Sequence, residues 1–153
     1  EKLKIDKSSL YATNSQEILK HELETIKKLV QSGHDVLFMP ESYFKKDELK
    51  FDASIFKGNR YFKADMKSIS SQNSDTIANA ISHGASQAGN IIVDVMNNVE
   101  YKILIDGIVS AAQSNNQLKS VIIFYKGRKK SYSVDAILSK KFKDIIHKDF
   151  IKN

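Results

Sequence analysis

Residues 51–68, FDASIFKGNRYFKADMKS, carry two runs of alternating character on either side of Gly58-Asn59. The pattern reads as a β-hairpin with a tight turn at that pair. Strand alternation places Phe62, Ala64 and Met66 on one face of the second arm and Tyr61, Lys63, Asp65 and Lys67 on the other. In the first arm Phe51, Ala53 and Ile55 share the apolar side, and Asp52 looks the opposite way. Pairing about the turn brings Asp52 level with the far end of the second arm, within reach of Asp65 across the ladder, and Lys67 lies about 7 Å from Asp65 along the strand. Two readings stay open for these charges. Either they line the wet face of a solvated hairpin, or two carboxylates and an amine converge on one site.

The rest of the chain extends this hairpin into an α/β pattern. Apolar residues at helical spacing (Ile18, Leu19, Leu23, Ile26, Leu29, Val30) predict a helix from Ser15, its N-cap, to Ser32, stopped by Gly33. DVLFMP (35–40) predicts a strand ended by Pro40. After the hairpin, Ile77, Ala80, Ile81, Ala85 and Ala88 predict a helix capped by Ser74 or Asp75. NIIVDV (90–95) is a β-branched strand, YKILIDGIVSAAQSNN holds another helix, and SVIIFYKG (120–127) another strand. A basic turn, KGRKKS, leads into YSVDAIL, and the tail is amphipathic and basic. Helices interleaved with strands imply a mixed central β-sheet flanked by helices. Residues 1–14 read as a lead-in and 15–153 as one domain.

Composition bounds the function. The 153 residues are 41% hydrophobic and 27% charged, a globular balance long enough for a core. No apolar run approaches the roughly 20 residues that cross a bilayer, so stable membrane insertion is not expected. Glu1-Lys2-Leu3-Lys4 has no apolar signal-peptide core and reads as the start of a piece cut from a longer chain. With no cysteine, disulfides, thiolate metal sites and cysteine nucleophiles are excluded. The net charge of +6 favours a polyanionic partner.

Two acids and one lysine suit chemistry on a phosphodiester. Converging carboxylates repel, and a hard divalent cation such as Mg²⁺ relieves the repulsion. A neighbouring ammonium can hold a water or stabilise negative charge on phosphorus. Glu22 falls between Ile18 and Ile26 on the apolar stripe of the first helix, where a carboxylate is costly unless paired or bound to metal. It is the candidate third acid, or a boundary residue reaching for water.

The order helix with Glu22, strand, Asp52, turn, Asp65-x-Lys67, helix with Gln87, strand resembles the PD-(D/E)XK phosphodiesterase fold of type II restriction endonucleases. HELETIKKLVQSGHDVLFMPES, KFDASIFKGNRYFKADMKSISS, SDTIANAISHGASQAGNIIVDV and SVIIFYKGRKKS resemble, within that group, C-terminal toxin domains of bacterial contact-dependent growth inhibition effectors. The likeness covers roughly residues 15–130. It implies a metal-dependent endonuclease, with tRNA as substrate, delivered from a cell-surface effector into a target cytoplasm and neutralised by a cognate immunity protein. On it, Asp52 and Asp65 are the metal acids, Glu22 the helix acid, and Lys67 the catalytic lysine. Thr76 and Gln87, with Ser68 and His83 beside the site, are supporting residues. Phe51 stands where the motif has proline, and Asp65 where it more often has glutamate.

Several residues carry a plainer alternative. Thr76 can serve as a first-turn capping residue, and His83 with Gln87 as a polar boundary pair. Lys63, Lys126, Arg128, Lys129 and Lys130 are candidates for the nucleic-acid backbone, or ordinary charges on a soluble turn. Phe142, Ile145, Ile146, Phe150 and Ile151 are expected to dock the tail as a helix. His21, His34, His83 and His147 lack metal-like spacing. A DNase on the same fold, a metal-independent RNase using His83 or His34, and a non-catalytic nucleic-acid-binding module remain open as alternatives.

Overall fold

The computed structural model describes residues 2–5, 8–12, 20–39 and 44–151. Its centre is an eight-stranded mixed sheet in chain order: β1 (Lys2–Ile5), β2 (Ser8–Ala12), β3 (Asp35–Phe38), β4 (Ala53–Lys57), β5 (Arg60–Ile69), β6 (Asn90–Val95), β7 (Ser120–Tyr125) and β8 (Arg128–Ser133). The segment expected as a lead-in therefore contributes β1 and β2. β3, β4 and β5 form an antiparallel meander; β5, β6 and β7 run parallel; β8 returns antiparallel to β7. Parallel neighbours need crossovers, and helices supply them. α2 (Ser74–Ala88) joins β5 to β6, and α3 (Tyr101–Ser114) joins β6 to β7.

The sheet is covered on both faces. α1 (Lys20–Gln31) packs Ile26, Leu29 and Val30 against Val36, Ile55, Met66 and Ile92. On the opposite face Ile77, Ile81, Leu104 and Ile108 are fully buried against Ile91, Val93 and Ile123. Each such side chain contributes about 1.5–3 kcal/mol through removal from water. Gly33, at φ 96°, stops α1 as expected. The expected N-cap Ser15 and the strand-ending Pro40 lie outside the described residues.

Three local features differ from expectation. Asn73, not Ser74 or Asp75, caps α2, accepting the Thr76 amide at 3.0 Å. The basic stretch after β7 is a turn only at Lys126-Gly127; Arg128, Lys129 and Lys130 belong to β8. α4 (Val134–Leu138) and α5 (Phe142–Phe150) follow. Phe142, Ile146 and Phe150 dock α5 as expected, whereas Ile145 and Ile151 stay exposed, at the positions where the helix turns to water.

Candidate active site

The site begins with a mismatch of strand lengths. β4 starts at Ala53, opposite Ala64, while β5 runs on to Ile69 beside β6. Beyond Ala64 the β4-side edge of β5 is therefore not covered by β4, and the sheet forks. Asp52 sits at the branch. Its amide donates to the Ala64 carbonyl at 3.1 Å, and its carbonyl accepts from the Met39 amide at 2.8 Å. Its carboxylate takes the next edge donor, the Met66 amide, at 2.7 Å. That acidic side chain thus replaces the carbonyl another strand residue would have offered.

The ladder ends at Ala53 and Ala64, and Asp52, the next residue, lies close enough to Asp65 for its charge to act on that carboxyl. Asp65 points away from α1, toward α2, and is only 5% exposed. α2 comes this close because residue 84 is glycine. A β-carbon there would stand 2.8 Å from Asp65 Oδ2 and 2.9 Å from Ile91 Cδ1. Lys67 Nζ lies 3.1 Å from the same carboxylate oxygen. The contact is a buried ion pair. Burial, then the neighbouring Asp52 charge, push the Asp65 carboxyl up to about 7, and Lys67 only partly opposes them.

These groups open on a cavity of about 660 Å³. Glu22 enters it from α1, His83 and Gln87 from α2, and Ser68 from the free end of β5. The structure thus brings together Asp52, Asp65, Lys67, Glu22, Ser68, His83 and Gln87. Glu22 is half-buried and His83 exposed. Thr76 is not among the lining residues; it is exposed in the first turn of α2, tied to Asn73. His21 and Lys50 also line the cavity, and sequence reading missed both. Their only signal was adjacency, to Glu22 and to Phe51-Asp52. Phe51 breaks the expected alternation because it precedes β4. It sits against Phe44 and under the Lys63 amine rather than with Ala53 and Ile55.

The residues expected on a nucleic-acid backbone are spread out. Lys63 lies outside the cavity, its Nζ 5.0 Å from the Phe51 ring centroid. Lys126, Arg128 and Lys129 line a second concavity of about 290 Å³ beside α1. Arg128 donates to the Asp149 carbonyl at 2.9 Å. Lys129 Nζ is 2.6 Å from His34 Nε2, and burial holds His34 down at about 4. A histidine so disposed, away from the carboxylates, is a poor proton carrier near neutrality. Lys130 pairs with Ile123 and Lys129 with Phe124, so alternation puts these two lysines on opposite faces.

Asp52 and Asp65 are the carboxylates that could hold a divalent ion. Burial and the Asp52 charge weigh on the Asp65 carboxylate more than the Lys67 amine at its Oδ2 offsets, an environment that a further cation would relieve. Among the described residues no group of three or more His, Asp or Glu side chains forms a ready metal shell. Mg²⁺ commonly takes one or two carboxylates and completes its shell with water and phosphate oxygens, so a two-acid site suffices. No described helix is long and apolar enough to cross a membrane. No family model matches this chain, and comparisons with curated proteins and with solved structures returned no match.

Proposed function

We propose that the domain is a metal-dependent endonuclease with a PD-(D/E)XK-like core. The observation that carries this reading is the convergence of Asp52, Asp65 and Lys67 at the fork of the sheet. The order α1, β3-β4-β5 meander, α2, parallel β6 supports it. A bound Mg²⁺ would polarise a phosphate oxygen and acidify a bound water. Asp52 and Asp65 would hold that ion, with Glu22 acting directly or through water. The attacking water forms a bond to phosphorus, the bond to the leaving sugar oxygen breaks, and the proton shed by the water reaches that oxygen through solvent. Lys67 stands beside Asp65, where an ammonium offsets the negative charge that builds on phosphorus. Gln87 and His83 border the space that a strand would occupy.

The resemblance of the motif-bearing stretches to contact-dependent inhibition toxins directs the substrate toward tRNA and the site of action toward a target-cell cytoplasm. A cognate immunity protein would then cover this basic domain with an acidic surface. Purified domain incubated with total tRNA or plasmid DNA, with Mg²⁺ or with EDTA, tests the proposal. Cutting of tRNA that needs Mg²⁺ and fails in Asp65→Ala is the expected result. Cutting that persists in EDTA and fails only in His83→Ala refutes the metal mechanism. Degraded DNA beside intact tRNA refutes the substrate.

A further inference from the structure

The carboxylate face of the hairpin continues away from the cleft as an aromatic shelf. α2 packs on β5 and β6, and α3 packs on α2, leaving this face of β3 and β4 outside the main core cluster. There Leu37, Phe56, Tyr61 and Lys63 line a groove of about 510 Å³, closed at one side by Phe44 and Phe51. Tyr61 is 53% exposed and leans on Phe56, with ring centroids 5.3 Å apart. Met39, Phe44 and Phe51 line both this groove and the carboxylate cavity, so the two adjoin across these side chains.

We infer that the shelf binds unpaired nucleobases flanking the phosphate held at Asp52 and Asp65, so that the substrate is single-stranded or locally unpaired nucleic acid. This rests on the nuclease reading and narrows its substrate. Tyr61, Lys63, Asp65 and Lys67 follow one another on one face of β5 at intervals of about 7 Å. A ring, an amine, a carboxylate and a second amine thus lie in line, the order that a strand with splayed bases and charged phosphates calls for. Every base has a π-face, and stacking on an exposed ring holds it without sequence readout. A continuous duplex keeps its bases stacked inside and offers its backbone instead. Lys63 carries positive charge between Tyr61 and the cleft, and Glu48 is the one acid among the described residues lining the groove. That charge complements phosphates better than it does an apolar protein surface.

Fluorescence anisotropy in EDTA, with a short unstructured labelled oligonucleotide and its duplex, separates the possibilities because nothing is cut. The single strand is expected to bind more tightly than the duplex. Tyr61→Ala is expected to weaken single-strand binding roughly ten-fold, within the range for losing one stacked base. Duplex binding should barely move, and Tyr61→Phe should keep wild-type affinity. Should the alanine variant melt early, Tyr61→Leu retains an apolar side chain without the ring face and takes its place. A preference for duplex, equal losses on both probes, or no loss at all overturns the inference. A shelf that binds single strands in a Tyr61-dependent way, in a domain that cuts nothing, would instead overturn the nuclease reading alone.

Discussion

Replacing Asp65 by asparagine should make the metal-free protein more stable in alkaline solution. In the fold the Asp65 carboxyl is raised from 3.8 to about 7, so its neutral form is favoured. An acid raised in this way gives stability that is fully present below 3.8 and is lost as pH climbs through about 7. At about 1.4 kcal/mol per tenfold change in proton affinity, the loss by pH 8 is about 4 kcal/mol. Solvent in the open cleft screens the charges and brings this to roughly 2 kcal/mol. An asparagine side chain carries no charge at any pH, so Asp65→Asn should recover that amount at pH 8 and nothing at pH 4. For a domain of this size the gain equals a rise in Tm of about 4–8 °C. Lys67 loses its counter-ion in the variant, but that attraction already counts against the rise and is outweighed by burial and Asp52. Thermal melts of both proteins in EDTA across pH 4–8 check the claim. A variant less stable than the parent at pH 8, or an offset that ignores pH, would refute the reasoning.

Gly84→Ala should cost about 1–3 kcal/mol through overpacking and, by displacing Asp65 and Lys67, abolish cutting; chemical denaturation and a cleavage assay read the two effects. Lys126 adopts φ 53°, a left-handed conformation costly for lysine, while Gly127 beside it takes the same region freely. Lys126→Asn should therefore stabilise the β7–β8 turn by about 0.5–1 kcal/mol, read as a shift in denaturation midpoint, since the amide bond to Asn97 is kept. Lys67→Ala should reduce the cleavage rate by roughly 10²–10³, as losing one transition-state donor does, and lower stability at pH 8 by leaving Asp65 without its cation.

The hairpin was legible because period-2 alternation and a Gly-Asn turn are both local signals, and together they bring Asp52 within reach of Asp65. Helix α2 and strand β6 were legible for the same reason, down to the last residue of NIIVDV. The fork was not. Nothing in residues 35–57 says that β4 stops one residue short of Asp52 while β5 continues, and that mismatch makes the cleft. Glycine in the middle of α2 was a visible anomaly, since Gly84 weakens a helix, yet only tertiary packing reveals that Asp65 occupies the space. Glu22 was found by its place on an apolar stripe, whereas His21, one step round the helix, had no such mark. The basic run 126–130 misled because charge hides alternation. A strand of lysines still sends successive side chains to opposite faces, and Lys129 and Lys130 separate accordingly. The segments β1 and β2 were obscured by polar composition.

Titration calorimetry with Mn²⁺ at pH 7, on wild type, Asp52→Asn and Asp65→Asn, puts the carboxylate pair itself to the test. One ion should bind per wild-type chain, releasing on average about half a proton as Asp65, raised to about 7, ionises, and either substitution should abolish both the binding and the proton release. Undiminished binding in both variants, or a wild-type chain that takes no ion even with a bound oligonucleotide supplying phosphate oxygens, would contradict a metal-dependent centre at Asp52 and Asp65.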